Sequence, residues 1–274
     1  MLTRCISVRM KRPVAWGLRT LSTGHPNASS KSSGEKNDLD SENSKKKVVV
    51  FGGSGFVGQS VCRAALKLGA EVVSVNRSGA PAGKEWASDV RWIRGDIFEP
   101  ENYAEELSGA AGAISCVGAF GSDAFMEKIC GDATVVATEA AKQAGVERFV
   151  FISAAGSQHQ HLVLKGYWKG KMKAEAAIRK LFPEDGVILR APGIYGNREV
   201  GSVALPLGLV MKPAEMVLAL PPFSYLRAVG PLEPVFTPPV SVDVVGRVAA
   251  GGALGTVPPG VLLVDDMNRL AKMV

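Results

Sequence analysis

No acidic residue precedes Glu35, and histidine occurs only three times in the whole chain. The four cysteines, Cys5, Cys62, Cys116 and Cys130, are scattered, with neither a Cys-x-x-Cys pair nor zinc-type spacing, which leaves reduced, structural thiols as the default. His159 and His161 form a His-x-His without a third ligand nearby. A polar surface loop explains them better than a metal site, and no metal is expected. No apolar run approaches the roughly 20 residues of a spanning helix. Val203 to Met211 and Met216 to Leu220 come nearest, and Lys212, Pro213 and Glu215 separate them. A secretory signal would need an unbroken apolar stretch of roughly 7–15 residues near the start, and that is missing too.

What charge there is sits at one end. The formal balance is +6, but Arg4, Arg9, Lys11, Arg12 and Arg19 all precede residue 22, and without them it falls to +1. The remainder carries neither a basic patch nor an aromatic platform, so nucleic acid is not the expected partner. Residues 1–21 are rich in Arg, Ser and Thr and free of acids, as in a mitochondrial transit peptide, and Arg19-Thr20-Leu21-Ser22 resembles a processing site. The expected mature protein starts near Ser22 in the mitochondrial matrix. A plastid leader or a disordered basic arm shares much of this composition. Residues 22–46 are Ser, Asn, Lys and acids with almost nothing apolar, and read as a flexible linker.

From Lys47 the pattern becomes that of a globular protein, in keeping with an overall hydrophobic fraction of 46%. Short apolar runs at Val48 to Phe51, Val72 to Val75, Val90 to Ile93, Ala111 to Val117, Phe149 to Ser153 and Val187 to Arg190 read as strands. Helical spacing fills Gln59 to Leu68, Met126 to Ala144 and Tyr167 to Leu181. Continuous apolar strands alternating with amphipathic helices predict a doubly wound parallel sheet covered on both faces, spanning 47–190. Prolines then become frequent, and 191–274 reads as a small Pro-rich substrate-side cap that ends in a strand at Val261 to Val264 and a helix at Met267 to Met273. The apolar part of this cap suits a lid over a pocket, or a face resting on a bilayer or partner.

The loop Gly52-Gly53-Ser54-Gly55-Phe56-Val57-Gly58 follows the first strand and opens the first helix, and a second strand comes next. That context turns a weak glycine spacing into a dinucleotide-binding signal: the glycines permit a tight turn and let backbone N–H groups approach a pyrophosphate at the helix N-terminus. A ribose-reading acid is expected at the end of the second strand, but Asn76 and Arg77 stand there. Nothing then repels a 2′-phosphate, and Arg77 is placed to pair with it, which predicts NADP(H) in preference to NAD(H). Alternatively, Arg77 is a solvated loop cation. Asp96 and Ile97, after the third strand, are expected beside the adenine, and Gly118 is expected to give close backbone access at the end of the fourth.

Tyr167 and Lys171 lie four apart and share one face of a helix. A free phenol has a pKa of about 10. A neighbouring ammonium and a bound nicotinamide would favour phenolate and tune the group for proton transfer. With these residues the chain resembles the extended and atypical short-chain dehydrogenase/reductase superfamily over Lys47 to about Leu254. The likeness is carried by the glycine loop, RGDIFEP, RFVFISA, Tyr167-x-x-x-Lys171, LRAPGIYGN and PPVSVDVV. It implies a catalytic Tyr167/Lys171 pair, and a turn at Pro192 and Gly193 near the nicotinamide. Within the superfamily the chain looks most like a mitochondrial subgroup that includes the Rossmann-fold accessory subunit of respiratory complex I and proteins tied to ubiquinone biosynthesis. The serine or threonine that usually follows the fifth strand is replaced by Ala154, leaving Ser153 beside it and Ser157 further on as the nearest hydroxyls. Two functions follow. One is an NADP(H)-dependent oxidoreductase acting on a hydrophobic carbonyl or quinone-like substrate. The other is a nucleotide-bound scaffold or assembly factor at the mitochondrial inner membrane, in a respiratory or quinone-biosynthesis complex.

Overall fold

The computed structural model describes residues 45–156, 164–200, 203–206, 217–218, 220 and 237–274. The expected leader, nearly all of the linker, Ser157, His159, His161 and most of the Pro-rich stretch lie outside these residues.

Six strands alternate with helices in the expected order: β1 (Lys47–Phe51), α1 (Phe56–Lys67), β2 (Glu71–Asn76), β3 (Val90–Arg94), α2 (Ala104–Leu107), β4 (Ala110–Ser115), α3 (Asp123–Glu127), α4 (Ala133–Gln143), β5 (Arg148–Ala154), α5 (Lys165–Leu181) and β6 (Gly186–Ala191). Two short strand pairs follow. The strands β7 (Ile194–Tyr195) and β10 (Val240–Ser241) run parallel, while β8 (Asn197–Val200) and β9 (Val203–Pro206) form an antiparallel pair. The chain then runs through α6 (Val242–Leu254) and β11 (Gly260–Leu262) to α7 (Val264–Leu270).

The main sheet has seven strands in the order β11-β6-β5-β4-β1-β2-β3, and every pairing is parallel. The chain winds outward from β1 to β3, then returns to place β4 on the other side of β1. Strand order reverses between β1 and β4, and in open α/β sheets ligands bind outside the carboxyl ends of the strands at that switch.

Side-chain alternation along β1 builds two cores. Val48 and Val50 pack with Val61 and Cys62 of α1 and with Val245 and Val248 of α6. Val49 and Phe51 point the other way, toward Ala137 and Ala141 of α4 and Ala174 and Ile178 of α5. These four apolar side chains are fully buried. Each contributes about 1.5–3 kcal/mol relative to exposure, so a slip in register would expel them to the wrong faces.

Three expectations change. The sheet does not end at residue 190: β11 pairs with β6, and α6 packs on the β1 face through Val245, Val248 and Ala249. The expected last strand also ends earlier, because Val264 is the first residue of α7. Helix α6 escaped sequence reading because nine of its thirteen residues are buried, several of them Val or Gly, so it shows neither a polar face nor high helix propensity. Its start is nonetheless capped, Ser241 Oγ accepting from the Asp243 N–H at 3.3 Å.

Between α3 and α4 the helix widens into a π turn at Lys128–Asp132, so one continuous helical segment runs from Asp123 to Gln143. Such turns are frequent at functional sites.

Candidate functional site

The carboxyl ends of β1, β2, β3 and β4 open onto a cleft of about 320 Å³, lined among others by Gly52, Ser54, Gly55, Asn76, Arg77 and Asp96. Ile97 and Gly118, also expected there, line it too. The glycine loop divides its labour. Gly52 adopts φ +82°, a conformation that side-chain-bearing residues rarely take, and its N–H bonds the Val75 carbonyl at 2.9 Å. A Cβ on Gly53 would strike Ser74 Oγ, and one on Gly58 would strike the Gly52 carbonyl oxygen. Those two glycines let loop, strand and helix close upon one another. At Gly55 a Cβ would approach only the Gly52 carbonyl, at 3.3 Å, leaving the first-turn backbone of α1 open. No acidic residue occupies the first turn of α1, so no side chain of that turn offsets its positive end. Neither Phe56 nor Val57 is among the cleft-lining residues.

At the β2 end of the cleft the expected ribose-side residues take different tasks. The Asn76 side chain is buried and accepts from the Gly79 N–H, which shapes the turn after β2. Arg77 is exposed on the cleft wall. Beside it, Ser54 Oγ and Ser78 Oγ are 3.0 Å apart, and Arg94 Nη2 donates to the Ser78 carbonyl at 3.3 Å. Ser78 and Arg94 were not singled out from sequence, because only the parallel register of β2 on β3 brings Asn76 and Arg94 level. Asp96 accepts from the Phe98 N–H at 3.0 Å, fixing the turn after β3 while it lines the cleft.

At the other end, Gly118 joins the cleft to the second group. A Cβ there would lie 3.9 Å from both Lys171 Nζ and Cys130 Sγ. Lys171 is buried, donates to the Ile152 carbonyl at 2.7 Å, and stands 4.5 Å from the centroid of the Phe151 ring and 5.7 Å from that of Tyr167. Burial lowers its pKa to about 8 against opposing contributions from Cys130, Cys116 and Glu175, so it remains mostly ammonium at neutral pH. The phenol departs from expectation: burial, with a smaller contribution from Cys130, pushes Tyr167 up to about 12. Burial thus favours the neutral phenol, and Tyr167 keeps its proton at neutral pH.

Helix α5 reaches this position because of two glycines one residue out of step with the pair. Gly166 and Gly170 meet the α3–α4 segment so closely that a Cβ on Gly166 would strike the Asp123 carbonyl, and one on Gly170 would lie 2.9 Å from Gly131 N. Gly131 belongs to the π turn. The Gly166 N–H also donates to Asp123 Oδ1 at 2.9 Å. The Gly-x-x-x-Gly spacing was visible in sequence, overlapping Tyr-x-x-x-Lys, but its partner helix was not.

Ser153 does not join Tyr167. It lies on the same face of β5 as Phe149 and Phe151, and its hydroxyl donates to Glu175 Oε1 at 2.7 Å. Arg190 binds the same carboxylate through two bonds of 3.0 and 2.6 Å, and Arg179 adds a third at 3.0 Å. Burial works to raise the Glu175 carboxyl, but the Arg190 and Ser153 hydrogen bonds and the two guanidinium charges hold it below its ordinary value. Ser153 is thus engaged with Glu175 at the junction of α5, β5 and β6. Pro192 and Gly193 are outside the cleft lining; the Gly193 carbonyl accepts from the Val240 N–H at 2.8 Å.

Residues 52–212 match the family described as NAD(P)H-binding. An uncharacterized chloroplastic protein of Arabidopsis thaliana is 40% identical over 210 residues, covering 75% of this chain and 71% of that protein. The mitochondrial protein fmp52-2 of Aspergillus oryzae is 32% identical over 164 residues, or 57% of this chain and 70% of that one. Among solved structures, the Bordetella bronchiseptica enzyme WbmG in complex with NAD superposes with a TM-score of 0.55 at 16% identity, covering 82% of this chain and 74% of that one; at that identity the likeness is one of fold.

Proposed function

The chain belongs to the NAD(P)H-binding family, and from that premise we propose that it is an NADP(H)-dependent reductase of a hydrophobic carbonyl or quinone-like compound in mitochondria. The observation that carries this reading is the juxtaposition at Gly118: its backbone closes the nucleotide cleft and stands against the Lys171 ammonium, with Tyr167 one helical turn away. When bound, a nicotinamide would supply the hydride that the carbonyl carbon needs. The chain supplies the rest. Tyr167, neutral at rest, gives its hydroxyl proton to the carbonyl oxygen, so that C=O becomes CH–OH. The ammonium of Lys171 stabilises the phenolate left behind, and its position beside Gly118 suits a ribose hydroxyl as acceptor. Gly52, Gly55 and the α1 N-terminus suit the pyrophosphate, and Arg77 the 2′-phosphate. The acid-free basic leader, together with a mitochondrial relative, supports the location. The chloroplastic relative keeps plastids as the alternative outcome of a targeting experiment.

The test follows NADPH oxidation against a panel of quinones, hydrophobic ketones and aldehydes. Tyr167→Phe is expected to lower turnover about 10²–10⁴-fold with cofactor affinity nearly unchanged. Full activity in that variant would overturn the assignment of Tyr167.

One observation favours a second reading. Ala154 offers no hydroxyl where the resemblance places one, and the neighbouring Ser153 is committed to Glu175. A nucleotide-bound scaffold or assembly factor at the inner membrane needs no such hydroxyl. It would show as NADP(H)-dependent thermal stabilisation without turnover of any substrate in the panel.

A further inference from the structure

Beside the proton donor stands an aromatic ring that the proposed chemistry does not use. Phe120 lies in the loop between β4 and α3, and its ring is stacked on that of Tyr167 with centroids 5.5 Å apart and planes 17° from parallel. It is nevertheless 68% exposed. Trp168 meets Tyr167 edge-on at 5.4 Å, so two aromatic rings flank the phenol.

A side chain so exposed would ordinarily sample many positions, but the backbone under Phe120 is held. The Ala119 N–H donates to Cys130 Sγ at 3.4 Å, and the Cys130 thiol donates back to the Ala119 carbonyl at 3.3 Å. Cys130 sits in the π turn, whose next residue, Gly131, packs against Gly170 of the helix that carries Tyr167. One turn of helix therefore fixes both rings of the stack, the loop through Cys130 and the phenol through Gly131. Two further exposed apolar side chains, Phe125 and Leu164, lie on segments joined by the contact of Gly166 with Asp123.

Resting on Tyr167 as the proton donor, we infer that Phe120 is a specificity-determining residue, a flat wall that selects conjugated or aromatic carbonyl compounds over saturated ones. A compound whose oxygen reaches the Tyr167 hydroxyl runs beside a ring already parallel to the phenol. The inner face of Phe120 is taken by the phenol, so a planar π system gains from its exposed outer face and edge through offset or edge-on stacking, whereas a saturated chain gains only the burial any apolar side chain would give.

The experiment measures binding, so a chain that turns nothing over still answers the question. Full-length protein with NADP⁺ is dialysed to equilibrium against 2-acetylnaphthalene, a flat aromatic ketone. Phe120→Leu, which keeps apolar bulk and loses the ring, is expected to weaken binding about two- to twelvefold, the worth of an aromatic pair beyond its buried area. Phe120→Tyr, which keeps the ring, is expected to bind as the unaltered protein does. Three results overturn the inference: no binding to the unaltered protein, no loss in Phe120→Leu, or an equal loss in Phe120→Leu and Phe120→Tyr.

Discussion

Substituting Gly55 and Gly58 separately distinguishes a glycine needed by the ligand from one needed by the fold. Gly55 has φ −75° and ψ 171°, an extended conformation open to any L-residue, and a Cβ there meets only the Gly52 carbonyl at 3.3 Å. Gly55→Val therefore leaves the fold nearly intact. Losing a tolerated N-cap residue costs about 0.5–1 kcal/mol, which lowers Tm by roughly 1–4 °C in a domain of this size. The valine methyls, however, would fill the space through which the proposed pyrophosphate would reach the first-turn N–H groups. Losing two charge-assisted hydrogen bonds costs about 3–6 kcal/mol, or roughly 10²–10⁴-fold in affinity for NADPH and NADH alike. At Gly58 the Cβ would strike the Gly52 carbonyl and lie 2.7 Å from Gly53 Cα, both of them backbone atoms. Gly58→Ala must therefore push helix and loop apart, at about 1–3 kcal/mol or more, and lose roughly 2–12 °C in Tm. Calorimetry with both nucleotides, paired with thermal denaturation, reads the two effects independently. The reasoning is refuted if Gly55→Val binds NADPH within threefold of the unaltered protein, or if its Tm falls as far as that of Gly58→Ala.

Titration of NADPH and NADH into the unaltered protein and Arg77→Ala tests the cofactor preference. The charge-assisted contact is worth about 1.5–3 kcal/mol, so the variant is expected to lose about tenfold or more for NADPH and little for NADH, and equal affinities in the unaltered protein would remove Arg77 from the site. Lys171 tests the electrostatics through stability. Burial lowers its pKa in the folded chain from 10.5 to about 8, so between those values the unfolded chain binds more protons and stability rises with pH. The Tm of the unaltered protein is therefore expected to gain on that of Lys171→Met as pH rises from 8 to 10.5, and to hold a constant offset below 8. An offset that stays constant through the upper window would show that the ammonium is not desolvated.

The sequence by itself determined the winding of the sheet, because uninterrupted apolar strands separated by amphipathic helices have few solutions other than a parallel sheet covered on both faces. It also located the glycine loop, since glycine at 52, 55 and 58 between a strand and a helix is a local requirement of backbone geometry. The pairing of Tyr167 with Lys171 was legible for the same reason, four residues being one helical turn. Whatever depends on which elements meet was left to tertiary structure. Ser153 was ambiguous until the face of β5 it occupies and its partner Glu175, 22 residues away, were known. Helix α6 carries no polar face because it is covered on nearly every side, so its periodicity reported nothing. Arg94 reached Ser78, and Cys130 reached Ala119, through strand register and a π turn that no sequence spacing encodes. The pKa of Tyr167 turned on burial, which belongs to the packed molecule, and burial set it above the value that its neighbour along the helix suggested.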